Sequence, residues 1–175
     1  MERCVPAVLL VAMLLAACGE RAPDTATMGA GPASFDCHVR ADEALRLINA
    51  ARAAGAQCGA VAMAPAPALH WDRRLQQAAA AHSADMAGNN YFEHRSPEGL
   101  SVRDRVSAVH YPLKGVGENI AGGDESIAEA VQGWLGSPAH CENLMDAHFT
   151  DVAVACSAQP GTQWGTYWTM VLGRR

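Results

Sequence analysis

The segment that most constrains the fold is 165–172, close to the end of the printed chain. Side chains along a strand alternate between two faces, and here both faces are largely apolar. The two sets are Tyr167, Thr169 and Val171 on one face and Trp168, Met170 and Leu172 on the other. A strand that is apolar on both faces is covered on both faces. We therefore predict a small antiparallel sheet between two layers of helices, with 151–156 as a neighbouring strand.

Amphipathic segments elsewhere in the chain can form those two layers. Apolar residues recur three and four positions apart in 39–54 and in 72–87, and again after Ser101 and after Ser126. Asp72, Ser101 and Ser126 are suitable N-caps, and Ser137-Pro138 begins a fifth, short helix. The predicted fold class is α+β, a three-layer α-β-α sandwich.

The N-terminal residues predict export rather than folding. An apolar run follows Arg3 but is shorter than the roughly 20 residues that span a membrane. It is typical of a signal peptide, which we place at 1–17. Small residues before Cys18 resemble a bacterial lipobox, in which that cysteine carries lipid; the alternative is an ordinary secretory signal with an incidental cysteine. We interpret 18–35 as a flexible tether and 36–175 as the folded domain.

The export prediction also indicates which membrane would hold the lipid anchor and whether the cysteines would be oxidised. Gly19 after the lipidated residue is typical of sorting to the outer membrane, so a periplasmic-side anchor is expected. Of six cysteines, Cys37, Cys58, Cys141 and Cys156 lie in the domain. An even number in an oxidising compartment predicts two disulfides, with three possible connectivities. Closeness along the chain favours Cys37–Cys58 around the first helix and Cys141–Cys156 around a helix-to-strand return.

Charge and composition exclude one class of partner. The net charge is −5 and no basic cluster is present, so nucleic acid is not an expected partner. Half of the residues are apolar, which allows a full core without a structural metal.

Three separated stretches suggest a cleft. His94 follows the aromatic pair Tyr91-Phe92 and precedes a Ser-Pro…Gly turn, Glu118 lies between a glycine and an apolar strand, and His140 lies in the first turn of a short helix. Two imidazoles and a carboxylate suit zinc or another divalent cation. They also suit an acid–base pair or a buried polar network that fixes loops. His82, on an apolar helical stripe, is interpreted as a hydrogen-bonded core histidine.

The order and spacing of these motifs resemble one family. The matching stretches are His82-Ser83…Asp85-Met86, Tyr91-Phe92…His94…Ser96-Pro97, Gly117-Glu118-Asn119-Ile120-Ala121, Ser137-Pro138…His140…Asn143, and Tyr167-Trp168-Thr169. They resemble the bacterial branch of the CAP domain, which comprises cysteine-rich secretory, antigen 5 and pathogenesis-related proteins. The resemblance implies a three-layer α-β-α sandwich.

In the eukaryotic branch the resemblance implies a cleft with two histidines and two glutamates, sometimes with a divalent metal. His94 and Glu118 match the first of each. Ser137 stands where the second glutamate is expected and Tyr167 where the second histidine is expected, so zinc binding of that kind is in question. We treat Asn119, Ser137 and Tyr167 as further candidates for lining the cleft. The alternatives are that Asn119 satisfies loop backbone and that Tyr167 fills the core.

These observations predict an exported, lipid-anchored protein of the cell envelope that binds a small ligand, a lipid or a protein, with no commitment to an oligomeric state. No serine or cysteine lies in a recognisable nucleophile elbow, so enzymatic turnover is not favoured. Two alternatives stay open: a divalent-metal-dependent hydrolase of peptide or cell-wall material, and a lipid- or sterol-binding protein.

Overall fold

The computed structural model describes Met1 and residues 37–175. The predicted tether, the proposed lipidation site Cys18 and all of the predicted signal peptide except Met1 therefore lie outside the described residues. The described part contains five helices and two sheets. The helices are α1 (Ala41–Ala54), α2 (Arg73–Asn89), α3 (Val102–Ala108), α4 (Ile127–Gly136) and α5 (Pro138–Met145). The strands are β1 (Ala56–Cys58), β2 (Val61–Met63), β3 (His70–Trp71), β4 (Gly115–Gly122), β5 (Asp151–Ala158) and β6 (Thr166–Arg174).

The main sheet has the order β3-β5-β6-β4, so β6 lies inside it and β4 forms an edge. β6 pairs antiparallel with both β5 and β4. Eight of its nine residues are buried, as its two apolar faces predict. The prediction of a purely antiparallel sheet is wrong at one edge, because the two-residue strand β3 runs parallel to β5. β1 and β2 form a separate antiparallel hairpin that the sequence did not indicate.

Helices cover both faces of the main sheet, which confirms the three-layer sandwich. On one face, α1, α4 and α5 pack against Val152, Val154, Trp168, Met170 and Leu172. On the other face, α2 and α3 pack against Ala153, Ala155 and Val171. The alternation of side chains along β5 and β6 assigns each residue to its layer.

The predicted N-caps are confirmed for three helices. Asp72 accepts from the backbone N–H of Arg74, and Ser126 accepts from that of Glu129. Ser101 and Asp104 form a complete capping box at the start of α3. Ser137 precedes α5 with Pro138 at its first position, but its side chain makes no capping hydrogen bond.

Both disulfides exist, but the pairing predicted from closeness along the chain is wrong. Instead of Cys37–Cys58 and Cys141–Cys156, the structure joins Cys37 to Cys156 and Cys58 to Cys141, across 119 and 83 residues of chain. The reason is geometric. The fourteen residues of α1 separate Cys37 from Cys58, and a straight helix of that length spans roughly 20 Å. The disulfides therefore join α1 and the β1–β2 hairpin to distant parts of the sandwich.

Candidate functional site

The site is built on the edge strand β4, which carries Glu118. Its side chain is only 2 % exposed. The backbone at Gly117 passes so close to Asn143 and Phe149 that any side chain there would collide with both, Phe149 at 2.9 Å from an added Cβ. Glycine at this position therefore lets α5 and the loop after it approach β4. This close approach places the α5 side chains beside the carboxylate.

Each oxygen of the Glu118 carboxylate has its own partner. The Nη2 of Arg105 donates to Oε2 at 2.8 Å, and the Nδ1 of His94 lies 3.0 Å from Oε1. A carboxylate paired with a guanidinium is a hydrogen-bond acceptor, so we infer that the proton of the neutral His94 ring is on Nδ1. Nε2 is then the acceptor nitrogen of that ring. In this arrangement Glu118 thus orients His94 and favours that tautomer.

Arg105 also holds the loop that carries His94. Its Nη1 donates to the Leu100 carbonyl and its Nη2 donates to the His94 carbonyl, both at 3.0 Å. The side chain is 7 % exposed. One guanidinium therefore joins α3, the His94 loop and β4, and the capping box at the start of α3 sets its position.

His140 approaches the same place from α5. The His94 and His140 ring centroids are 6.5 Å apart in an edge-on arrangement. Burial lowers the pKa of His140 below its ordinary value, and the neighbouring His94 lowers it further. The ring is therefore neutral at pH 7, and one of its nitrogens is a hydrogen-bond acceptor.

Two amides hold α5 against β4. Asn119 is fully buried and its Nδ2 donates to the His140 carbonyl at 2.9 Å. The Nδ2 of Asn143 donates to the Asn119 Oδ1 at 2.8 Å and to the Glu118 carbonyl at 3.2 Å. The relative positions of Glu118 and His140 are therefore set by a hydrogen-bonded network and not by packing alone.

These side chains line an open cavity of about 440 Å³, which we call the His/Glu cleft. Its lining residues are His94, Glu118, Asn119, Ala139, His140, Glu142, Asn143 and Asp146. A second cavity of about 390 Å³ shares His94, Glu118 and Asn143 with it and extends towards Arg95 and Val102. A third, of about 560 Å³, adjoins the cleft at Glu142 and Asp146. Much of its wall is apolar: Val61, Met63, Pro65, Met145 and Ala147.

Not all of the site residues predicted from the sequence lie at the cleft. It brings His94 and Glu118 into contact and places His140 and Asn119 on the same cleft. The assignment of Tyr167 to the lining is wrong. Tyr167 is fully buried, and its register partner on β4 is Gly122, whereas Glu118 is opposite Val171. Ser137 joins α4 to α5 and is not among the residues that line these three cavities.

Sequence reasoning gave no role to Arg105 and Asn143 and interpreted His82 as core only. Arg105 and His82 had a detectable signal, since each is a polar residue on an otherwise apolar helical stripe. His82 is fully buried, as its stripe predicts, but neither ring nitrogen has a hydrogen-bond partner among the described residues. Its Nε2 lies 3.8 Å from the Oε1 of Glu118. Burial lowers the pKa of His82, because the charged ring is poorly solvated there.

The donor set does not fit a metal of the kind seen in some eukaryotic relatives. Both Glu118 oxygens already accept from Arg105 and His94, and the second glutamate and second histidine of that pattern are absent as ligands. Within residues 37–175, no group of three or more His, Cys, Asp or Glu side chains is arranged so that it could hold a metal ion. A divalent cation could use Glu118 only if the carboxylate left one of these partners.

Comparison with known proteins identifies the class. The family model of the cysteine-rich secretory protein family, CAP, matches residues 45–172. The chain therefore belongs to the CAP family, and the fold, the disulfides and the motifs around Glu118 agree with this.

Two curated relatives come from Bacillus subtilis (strain 168). The uncharacterized membrane protein YlbC is 37 % identical over 95 residues, which cover 54 % of this chain and 28 % of YlbC. The uncharacterized protein YkwD is 35 % identical over 96 residues, covering 55 % of this chain and 37 % of YkwD. The matched region thus spans about a third of the length of these relatives. Neither name assigns an activity.

Solved structures share the fold. An extracellular protein containing an SCP domain from Bacillus anthracis superposes with a TM-score of 0.64 and 30 % identity, over 77 % of this chain and 40 % of that chain. An outer surface protein from Borrelia burgdorferi superposes with a TM-score of 0.61 over 78 % of this chain and 96 % of that chain, at 17 % identity. The second likeness shows the fold alone. The two disulfides indicate a domain outside the cytoplasm.

Proposed function

We propose that this chain is an exported, lipid-anchored CAP-domain protein of the bacterial cell envelope that binds a ligand in the His/Glu cleft without turning it over. The observation that carries the proposal is the state of Glu118. Both oxygens of this carboxylate are engaged, by Arg105 and by His94. A carboxylate held in this way orients a neighbouring ring, and its pairing with a guanidinium disfavours a role as a base or as a metal ligand. The site is therefore arranged for recognition.

The groups that line the cleft indicate what it recognises. His140 is a neutral ring, and Glu142 and Asp146 are carboxylates on the cleft wall. These are mainly acceptor groups, so a ligand rich in hydroxyl, amide or ammonium donors is favoured. An anionic ligand is disfavoured, since the Arg105 guanidinium is buried and already paired.

The test is native mass spectrometry of the protein purified from its own cell envelope, looking for a co-purifying mass. His140→Ala removes a ring from the cleft but retains the backbone carbonyl that Asn119 holds. His70→Ala is the control, because His70 is exposed on β3 at the opposite edge of the sheet. We expect an adduct on the native chain and on His70→Ala, and loss of most of it from His140→Ala. A ligand-free native chain, or an adduct that His140→Ala retains in full, would contradict the proposal.

Membrane anchoring belongs to the same proposal and rests on the sequence around Cys18. Among the described residues, no helix is long and apolar enough to cross a bilayer. We expect labelled palmitate to be incorporated into the native chain, and the Cys18→Ala variant to lose both the label and its membrane fractionation. A Cys18→Ala chain that stays with the membrane would show that a different attachment operates.

The lipid-binding alternative is favoured by one observation, the mostly apolar cavity that adjoins the cleft at Glu142 and Asp146. A lipid could place a polar head among the acceptors of the cleft and an apolar chain against Val61 and Met145. The same mass measurement distinguishes this case, since a lipid adduct is extracted by organic solvent. Val61→Glu, at an exposed position of the same cavity wall, should then abolish the adduct.

A further inference from the structure

The unexplained group in the site is His82, on α2. The ring is completely buried, and neither nitrogen makes a hydrogen bond within the described residues. Buried polar groups are nearly always paired, and an unpaired one calls for a specific explanation. The Glu93 carbonyl is close enough to favour a proton on the ring without completing a hydrogen bond, and the Tyr91 ring centroid is 6.2 Å away.

His82 lies near a carboxylate oxygen that already has another histidine as its hydrogen-bond partner. Its Nε2 is 3.8 Å from the Oε1 of Glu118, the same oxygen that the Nδ1 of His94 contacts at 3.0 Å. The exposed fractions of the three side chains are 54 % for His94, 2 % for Glu118 and 0 % for His82. The groups therefore form a row from solvent to core, with one carboxylate between two imidazoles.

The other Glu118 oxygen is held in place by Arg105. A rotation of the carboxylate about this contact would move Oε1 towards His82 by roughly 1 Å, enough to reach normal hydrogen-bond length. His94 would lose its partner in that state, but it is half exposed, so water would replace the lost bond. His82 is fully buried and would gain a hydrogen bond of full geometry, which neither of its nitrogens makes in the present arrangement. The rotation therefore exchanges a hydrogen bond at a half-exposed ring for one at a buried ring.

We propose that His82 is a positioning residue of the cleft. When the Oε1 of Glu118 releases His94, it accepts a hydrogen bond from the Nε2 of His82 instead. The released His94 ring is free to turn towards a ligand. The carboxylate meanwhile stays paired with Arg105 and hydrogen-bonded to His82, so no buried charge is left uncompensated. Burial lowers the pKa of His82 and so favours the neutral ring, whose single proton is enough for this hydrogen bond.

The readout is the tautomer of the His94 ring, measured by two-bond nitrogen–proton correlation on the full chain labelled with ¹⁵N-histidine, at a pH where the rings are neutral. When bound to Glu118, His94 carries its proton on Nδ1, whereas a neutral ring in water favours Nε2. The native chain should show both tautomers, either as separate or as averaged signals. In His82→Leu the alternative donor to Glu118 is removed. The ratio of the Nδ1–H to the Nε2–H tautomer of His94 should therefore rise about threefold or more.

His82→Gln serves as the matched variant, because its amide can donate to Glu118 from a similar position. It should keep the His94 tautomer ratio near the native value. A native His94 that is entirely Nδ1–H, or a ratio that His82→Leu leaves unchanged, overturns the proposal. Equal changes in both variants also overturn it, since they would trace to packing around the ring. No ligand is used, so these outcomes leave the proposed binding function to its own test.

Discussion

The contact between Arg105 and Glu118 gives the sharpest test of how the site is held together. Both side chains are almost fully buried, and the Arg105 Nη2 lies 2.8 Å from the Glu118 Oε2. Arg105→Leu keeps an apolar side chain on α3 but leaves the carboxylate without its cationic partner. It also removes the donors to the Leu100 and His94 carbonyls.

The expected loss follows from those contacts. Removing one member of a buried ion pair typically costs about 3–5 kcal/mol, because the remaining charge is left uncompensated. Hydrogen bonds from a charged donor to two carbonyls add to this, and water entering the half-exposed His94 loop offsets part of it. We expect Arg105→Leu to lower the free energy of unfolding by about 4 kcal/mol, roughly a thousandfold change in the folding equilibrium.

The assay is urea unfolding of the full chain with its disulfides intact, followed by tryptophan fluorescence. Trp134 and Trp168 are almost fully buried and report loss of the core. Arg103→Leu is the control, because Arg103 lies on the same helix but is exposed. Its free energy of unfolding should stay within about 0.5 kcal/mol of the native value.

A second measurement separates the ion pair from general packing. Adding Glu118→Leu to Arg105→Leu removes the unpaired charge, so the double variant should be less destabilised than the sum of the single variants, by about 1.5 kcal/mol or more. Two results would refute the reasoning. One is an Arg105→Leu chain within about 1 kcal/mol of Arg103→Leu, and the other is strict additivity in the double-mutant cycle.

Three further predictions concern the scaffold. Arg52 is fully buried and donates to three backbone carbonyls, so Arg52→Met should cost about 3 kcal/mol in urea unfolding. Hydrogen bonds from Arg175, Tyr111 and Thr150 lower the pKa of the buried Asp151 carboxyl to about 2 in spite of its burial. Since the folded pKa is below the unfolded one, this stabilisation is present above about pH 4 and is lost as pH falls towards 2. Asp151→Asn should flatten the stability–pH curve in that window. Cys58→Ser with Cys141→Ser opens a cross-link across 83 residues and should cost about 4 kcal/mol; peptide mapping without reduction should recover Cys58 with Cys141 and not with Cys37.

Features that depend on neighbouring residues were predictable from the sequence. The N-caps at Asp72, Ser101 and Ser126 need only a short polar side chain two or three positions before a backbone N–H. The layering followed from β6 in the same way, because a strand that is apolar on both faces requires cover on both faces. The hairpin of β1 and β2 was missed because its strands are only three residues long and lie in an alanine-rich stretch with no alternation.

Features that depend on distant contacts were not predictable. The disulfide partners were assigned by closeness in the chain, but the fold brings Cys156 near the end of β5 to Cys37, before α1. Tyr167 was placed in the cleft by its position in a family motif, and the register of β6 against β4 puts it near Gly122 instead. A one-dimensional pattern fixes the face of a strand on which a residue lies, but not which part of the neighbouring strand it meets.

Arg105 explains how a CAP-type cleft can be assembled here without a bound cation. A buried carboxylate needs a compensating charge, and in a metal site the ion supplies it. In this chain the guanidinium on α3 supplies the charge, and it does so without lining the cleft itself. The charge is therefore permanent, and the other oxygen of Glu118 is left to a histidine. The cleft is thus organised by side chains of the chain itself. Under the proposed function, recognition would then depend on the orientation of His94 and on whether the Oε1 of Glu118 contacts His94 or His82.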